Sequence, residues 1–168
     1  FATLLKIILA QQVSSASARA ITRRLEEAAR PLTPETFLVL DEAALRAVGF
    51  SRQKVIYGRA LADAVAGGKL SLRAVARADD EAAIARLSAI KGIGRWSAEM
   101  YLLFALRRPD IWPMGDLAVV TGLMRAKGIA ERPGAEELAR LGEAYRPWRS
   151  VAARLMWHYY GATPDGGD

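Results

Sequence analysis

The stretch Leu87–Leu102 constrains the fold of this chain most, because two glycines surround one apolar residue between two helix-forming segments. Gly92 and Gly94 flank Ile93 at the centre of this stretch. Glycine adopts backbone conformations that are closed to other residues and leaves neighbouring amide N–H groups uncovered. Amides at the start of the following helix then point outward as a site for an anion. The stretch therefore predicts a helix, a tight turn and a second helix, with an anion site at the turn.

The apolar residues of the same stretch stand where two crossed helices need them: Leu87, Ile90, Ile93, Ala98, Tyr101 and Leu102. This is the pattern of a helix-hairpin-helix motif, which binds a DNA phosphate without reading the bases. The alternative is an ordinary turn between packed helices, which a lone Gly-x-Gly would favour. The formal net charge of +6 and the sequence pI of about 10.0 are consistent with a polyanionic partner.

Length and composition limit the number of domains and exclude several kinds of site. The 168 residues are enough for one or at most two domains with a buried core. Because the chain has no cysteine, disulfides, thiol catalysis, Cys-ligated zinc and iron–sulfur clusters are excluded from it. A single histidine argues against a His-based metal cage. No apolar run is long enough to span a bilayer. The missing initiator Met leads us to expect a longer parent protein.

Capping residues and glycines divide the chain into short helices, and no segment alternates with the period of a strand. The first predicted helix covers residues 3–10, and the next ones begin at the predicted caps Ser14 or Ser15, Thr33, Asp41, Ser51, Ser71, and Asp79 or Asp80. The second hairpin helix is expected to stop at Arg107–Pro109. Helices at 117–127 and 134–144 follow a loop, and a last helix runs from Pro147-Trp148 to before Gly161. The tail from Ala162 is expected to fray.

Asp116 is the candidate catalytic residue. It follows the loop segment Trp112–Gly115 and stands at a predicted helix start, where Asp is commonly an N-cap. The two roles are compatible, because the helix dipole favours an ionised carboxylate. Such a carboxylate stabilises a cationic, oxocarbenium-like transition state. At an effective dielectric constant of about 20, a charge at ~4 Å contributes about 4 kcal/mol, and a water would then attack the sugar carbon.

Short motifs occur in a fixed order and cover nearly the whole chain: Ile8–Ser14, Gly49–Val55, Lys91–Ala98, Trp112–Asp116 and Tyr145–Ser150. With them the chain resembles the HhH-GPD superfamily of DNA glycosylases, and within it the AlkA-like 3-methyladenine DNA glycosylase II type. The resemblance implies an all-α fold in which residues 1–168 form one functional unit of two helical lobes with a cleft between them. It also implies that Asp116 is the catalytic carboxylate. The sequence Met114-Gly115-Asp116 departs from the Gly-Pro-Asp of the family name.

The resemblance also implies a reaction type. In lyase-type members, a lysine in the hairpin motif forms a Schiff base with the sugar, and the matching position here is Trp96. Because an indole cannot attack the sugar, we expect a monofunctional glycosylase that uses water. Lys91 is not at that position. No iron–sulfur cluster or other cofactor is expected.

Aromatic residues near the motifs are candidates for a base pocket. By resemblance, the residues that line this pocket are Trp96, Met100, Trp157 and His158. Electron-rich rings suit a flipped base that carries positive charge, such as an N3- or N7-alkylated purine, and a cation–π contact adds roughly 0.5–2 kcal/mol. Core packing is the alternative for each aromatic residue, and we expect it for Tyr101 and Trp148.

The same resemblance assigns DNA contacts. Gln12, with Gln11 beside it, would fill the gap that a flipped base leaves; the alternative is that both satisfy backbone groups in a helix–helix corner. Contacts to phosphates of the other strand are expected from Ser51, Arg52 and Lys54, unless these belong to a solvated helix face. The hairpin contacts are expected from Lys91, Gly92, Gly94 and Arg95. A monovalent cation, Na⁺ or K⁺, would be held by the backbone carbonyls of Ser88, Ile90 and Ile93.

The expected partner is therefore double-stranded DNA with a damaged base. We expect a monomer without a membrane partner, in the bacterial cytoplasm at the nucleoid. The favoured function is removal of alkylated purines of the 3-methyladenine and 7-methylguanine type in base excision repair. Two alternatives stay open: a related glycosylase for a deaminated or oxidised purine, and a non-catalytic protein that binds DNA structures.

Overall fold

The computed structural model describes residues 1–162, apart from the side chain of Ser15. The helices are α1 (Ala2–Ala10), α2 (Ser15–Ala28), α3 (Pro34–Val39), α4 (Glu42–Val48), α5 (Arg52–Ala66), α6 (Leu72–Arg77), α7 (Asp80–Ser88), α8 (Arg95–Phe104), α9 (Leu117–Lys127), α10 (Ala135–Glu143) and α11 (Arg149–Ala162). The described residues form no strand, so the predicted all-α class is confirmed. The last helix is predicted to end before Gly161 but includes Gly161 and Ala162, so fraying at Ala162 is not seen; the rest of the predicted frayed tail, residues 163–168, lies outside the described residues. Within residues 1–162, no helix has the length and apolar composition that crossing a bilayer requires.

Side-chain caps set most helix starts at the predicted residues. The Oδ1 atom of Asp79 accepts a hydrogen bond from the Ala82 amide at 2.8 Å, which satisfies an N–H group that the helix itself leaves without a partner. The same contact with the amide three residues on is made by Ser14, Thr33, Asp41, Ser51, Ser71 and Asp116.

The end of α8 differs from the prediction. The helix ends at Phe104 rather than running to Arg107–Pro109. Arg107 has a left-handed backbone with φ of 54°, and the Arg108 amide donates to the Leu102 carbonyl at 3.0 Å. The chain therefore leaves the helix before the proline.

The chain divides into two compact units, Phe1–Tyr101 (unit 1) and Leu102–Asp168 (unit 2). In unit 1, α1 packs against α2 and α5 and buries Leu4, Leu5, Ile8 and Leu9. Helix α3 packs against α5 at Gly58, where a Cβ atom would lie 2.8 Å from Cζ of Phe37. Glycine is therefore required for this helix contact. One functional unit over residues 1–168 stays a prediction.

In unit 2, α9 packs closely against α11. A Cβ atom on Gly122 of α9 would lie 2.3 Å from the carbonyl oxygen of Met156. The face that α11 buries consists mainly of small residues, including Ala152 and Ala153. Met156 is the large apolar side chain on this face, whereas Val151, Leu155 and Tyr159 of α11 are exposed.

The prediction of core packing is right for Tyr101, which is buried, and wrong for Trp148, which is 62% exposed. Trp148 stands just before α11, and the face that α11 buries begins with Ser150. Trp148 therefore precedes the buried face of α11 and lies outside it.

We expect Gly122→Ala to lower the free energy of unfolding by about 1–3 kcal/mol, because the added methyl group would overlap the backbone of α11. Urea unfolding followed by circular dichroism measures this. Gly161→Ala is the matched control, since a Cβ atom there meets nothing within 4 Å. Equal stability of Gly122→Ala and the wild type would contradict the tight crossing.

Candidate functional site

Asp116 lies at the start of α9 and is buried. Its Oδ1 atom accepts hydrogen bonds from the Val119 amide at 2.9 Å and from Nε1 of Trp157 at 2.8 Å. Both donors, together with the positive end of the helix dipole, stabilise a negative charge on this carboxylate. The predicted N-cap role of Asp116 is thus present, and the carboxylate is held in a fixed position by α9 and α11.

The loop that leads to Asp116 is held by Ser150, which is buried. Its Oγ atom accepts a hydrogen bond from the Ile111 amide at 2.9 Å and donates one to the Arg108 carbonyl at 2.6 Å. The Ser150 amide donates to the Pro109 carbonyl at 3.0 Å. One serine therefore ties both ends of a sharp bend to the start of α11.

Asp110 joins the same loop to Arg149, whose Nε donates to Oδ1 at 2.7 Å. Arg146 contacts the other carboxylate oxygen at 2.6 Å. Burial opposes ionisation of Asp110, but hydrogen bonds from Arg149 and the charges of both arginines outweigh it and hold the pKa of this carboxyl below its ordinary value. The sequence alone indicates no role for the motif Tyr145–Ser150. Its contacts show that it fixes the loop before Asp116.

Trp157 is half-buried, and its ring stacks on Phe104 with centroids 5.5 Å apart. The stack and the hydrogen bond to Asp116 together fix the indole. His158, the neighbouring pocket candidate, is exposed. Trp112 donates its indole N–H to the Leu138 carbonyl at 3.0 Å and lies in the core, in agreement with core packing.

The hairpin turn lies in unit 1 and is closed by a bond from the Ile93 amide to the Ile90 carbonyl at 3.0 Å. Gly92 has a left-handed backbone with φ of 93°, and a Cβ atom there would lie 2.2 Å from the ring of Tyr57. Gln11 donates from Nε2 to the Gly92 carbonyl at 3.0 Å and to Oγ of Ser97 at 3.1 Å. Gln11 thus satisfies a backbone group, as its alternative interpretation proposed.

Gly94 serves the hairpin differently from Gly92. A Cβ atom on it would meet nothing within 4 Å, and the residue is exposed together with Lys91. Its carbonyl accepts the Ala98 amide at 3.0 Å, so α8 begins directly after it. The first amides of α8 precede this bond and have no partner within the helix. An anion can therefore approach this helix start closely.

Arg95 also belongs to an ion-pair network in unit 1. Its Nη2 lies 2.6 Å from Oε1 of Glu81, and its Nε lies 2.9 Å from Oε1 of Glu99, which is buried. The spacing of Arg95 and Glu99, four residues on one helix, is a sequence signal for this pair. Glu81 and Glu99 therefore already compensate the positive charge of Arg95, which the sequence predicts to contact a phosphate.

Gln11, Gln12, Ser51 and Lys54 line one polar cavity of about 150 Å³ in unit 1, together with Gln53 and Tyr57. Nζ of Lys54 donates to the Leu9 carbonyl at 2.6 Å, and burial lowers the pKa of Lys54. Arg52 is exposed in the first turn of α5. The structure thus brings the predicted gap-filling glutamines and two of the predicted phosphate contacts together.

Gln12 has a left-handed backbone with φ of 54° and is exposed. Non-glycine residues rarely adopt this conformation, and those that do cluster at functional sites.

On α8, Trp96 is half-buried and Met100 is buried one turn later, so both lie along one side of the helix.

The predicted cation ligands are backbone carbonyls at the end of α7 and in the hairpin turn. Ser88 is the last residue of α7, where carbonyls lack partners within the helix. Ile90 and Ile93 follow in the turn. Neutral oxygen donors of this kind suit a monovalent cation. In the described part of the chain, no group of three or more His, Cys, Asp or Glu side chains is arranged to hold a metal ion.

Comparison with known proteins identifies the family. Residues 5–147 match the family described as HhH-GPD superfamily base excision DNA repair protein. DNA-3-methyladenine glycosylase 1 of Schizosaccharomyces pombe is 33% identical over 158 residues, which are 92% of this chain and 69% of that protein. The chain spans 56% and 59% of the lengths of two further curated relatives.

Two solved structures are also similar. The DNA-3-methyladenine glycosidase of Bacillus halodurans aligns with a TM-score of 0.85 and 33% identity, over 96% of this chain and 75% of that one. The 3-methyladenine DNA glycosylase of Schizosaccharomyces pombe in complex with abasic DNA aligns with a TM-score of 0.83 and 32% identity, over 93% and 78%. The sequence match and the shared fold agree, and the chain belongs to the HhH-GPD superfamily of base excision DNA repair proteins.

Proposed function

We propose that this chain is a monofunctional, monomeric DNA glycosylase that removes alkylated purines of the 3-methyladenine and 7-methylguanine type. The observation that carries the proposal is the buried Asp116 carboxylate, fixed by Val119 and Trp157 at the start of α9. The similarity to proteins named DNA-3-methyladenine glycosylase or glycosidase supports the substrate class. The comparisons favour it over removal of another damaged purine and over a non-catalytic DNA-binding role.

In the proposed reaction, the negative charge of Asp116 stabilises the oxocarbenium-like sugar as the base departs. A charge at ~4 Å in a partly buried site contributes about 4 kcal/mol. An alkylated purine carries positive charge and is a good leaving group, so the departing base needs no protonation by a separate general acid. Water then adds to the sugar carbon and completes hydrolysis.

For DNA binding, we propose that the amides after Gly94 bind a backbone phosphate, with Lys91 adding positive charge. Gln12 is the proposed gap filler, and its exposed, left-handed position supports that role. Extruding a base costs a few kcal/mol, and least for a damaged one. Trp96, Met100, Trp157 and His158 are the proposed pocket residues. A cation at the carbonyls of Ser88, Ile90 and Ile93 remains a proposal, as does the phosphate contact of Arg95.

We expect Asp116→Asn to slow release of 3-methyladenine about 10³-fold, which is what loss of about 4 kcal/mol of charge stabilisation gives. Asn keeps the N-cap and can still accept the Trp157 hydrogen bond, so the variant removes mainly charge. The measurement is single-turnover base release from alkylated duplex DNA, with binding to abasic duplex measured in parallel.

Asp41→Asn is the matched control for this variant, because Asp41 caps α4 in the same way and is exposed. It should release the base at the wild-type rate. Undiminished base release by Asp116→Asn would refute the catalytic assignment. If the wild-type protein binds abasic DNA tightly but releases no base, the non-catalytic alternative is favoured.

We expect Trp157→Phe to lower the free energy of unfolding by about 1–3 kcal/mol, because it removes a hydrogen bond to a buried carboxylate. The phenyl ring can retain the stack on Phe104. Base release should fall more than abasic-DNA binding, since Asp116 loses a positioning donor. Trp148→Phe changes an exposed indole and serves as the control. A Trp157→Phe variant with wild-type stability and base release would show that the hydrogen bond is dispensable.

We expect borohydride to trap no covalent protein–DNA product, because Trp96 stands at the position of the lyase nucleophile. The assay uses alkylated and abasic duplexes and reads the shift in protein mass. If a product forms, the monofunctional proposal is wrong, and Lys91→Ala then tests whether Lys91 is the reacting amine.

A further inference from the structure

A cleft of about 530 Å³ lies in unit 2, and neither Asp116 nor Trp157 lines it, although Phe104, which stacks on Trp157, does. It is lined by the end of α8, the loop after it and the first turns of α11. Three arginines line it, Arg107, Arg108 and Arg154, and its lining includes no Asp or Glu. Its volume is in the range of ligand-binding clefts.

Arg107 and Arg154 give this cleft a positive charge. Among residues 1–162, no carboxylate forms an ion pair with Arg107 or Arg154. Arg146 and Arg149, nearby in the same unit, both pair with Asp110. Clefts that carry one sign of charge focus the field and concentrate ions of the opposite sign. The cleft therefore favours an anionic ligand.

Aromatic side chains stand among these arginines. Trp148 is 62% exposed and Phe104 is 50% exposed. Phe104 is fixed on one side by the stack on Trp157 and carries the guanidinium of Arg154 at 5.4 Å from its ring centroid. The exposed indole of Trp148 offers a surface on which a flat ring can stack.

The position of Arg107 supports the same conclusion. This residue has a left-handed backbone with φ of 54° and an exposed side chain at the rim of the cleft. A non-glycine residue in this conformation costs free energy, and such residues cluster at binding and catalytic sites. Arg107 thus lines the same cleft as the two aromatic residues.

We propose that this cleft binds single-stranded DNA, with a base stacked on Trp148 and its phosphates held by Arg107 and Arg154. Positive charge combined with exposed aromatic rings is how proteins bind single strands without reading their sequence. Neither the hairpin nor Asp116 contributes a residue to the lining of the cleft, so the cleft would hold an unpaired strand in addition to the duplex contacts. An acidic peptide with apolar side chains is the competing ligand, and the test separates the two.

The experiment is fluorescence anisotropy with a fluorescein-labelled oligothymidylate of about eight nucleotides, a length typical of single-strand sites. We expect Trp148→Ala to weaken binding about tenfold, since stacking of one base contributes that much, and Trp148→Phe to retain binding. Arg107→Glu should weaken binding and reduce the log–log salt slope by about 0.7 for one lost phosphate. Arg132→Glu is the matched control, because Arg132 is exposed in unit 2 and does not line the cleft.

Wild-type affinity of both Trp148→Ala and Arg107→Glu, with unchanged thermal midpoints, would overturn the proposal. Equal weakening by Arg107→Glu and Arg132→Glu would also overturn it, because it would indicate general charge attraction. If binding of a labelled Glu/Leu peptide depends on Trp148 and binding of the oligothymidylate does not, the cleft is assigned to a protein partner instead. The assay contains no damaged base, so its result does not depend on the glycosylase proposal.

Discussion

The arrangement of unit 2 depends on one buried carboxylate oxygen, Oδ1 of Asp116. It binds the first turn of α9 and the indole of α11, so each helix fixes the other through the same atom. A buried charge that loses a donor is destabilised strongly, which makes both bonds necessary. Gly122 then sets how closely the same two helices approach. Position and charge of the carboxylate are thus secured by one packing contact and two hydrogen bonds.

The segment before Asp116 is also fixed by a few side-chain contacts. Ser150 and Asp110 add side-chain hydrogen bonds to a loop whose own backbone bonds join Met114 to Trp112 and Asp116 to Pro113. A loop constrained in this way can present a carboxylate without the rearrangement that a mobile loop would require. The start of α11 therefore supports the proposed chemistry without containing the catalytic group.

Much of the fold follows from local chemistry, which is why the sequence predicts it. A serine such as Ser51 or an aspartate such as Asp79 satisfies the amide three residues on, and this depends on no distant residue. Contacts between distant residues could not be predicted in the same way. The bond from Gln11 to the Gly92 carbonyl joins residues 81 positions apart. The exposure of Trp148 depends on which residues of α11 the rest of unit 2 buries, which the local sequence does not determine.

The contact between Gly92 and Tyr57 has a consequence for binding energetics. The aromatic ring occupies the place of a side chain, and Gln11 holds the adjoining carbonyl, so the hairpin backbone has little freedom left. The loss of conformational entropy that ordering a loop requires is incurred when unit 1 folds. A ligand that then meets the turn finds it already ordered, and less of its interaction energy is consumed in restraining the protein.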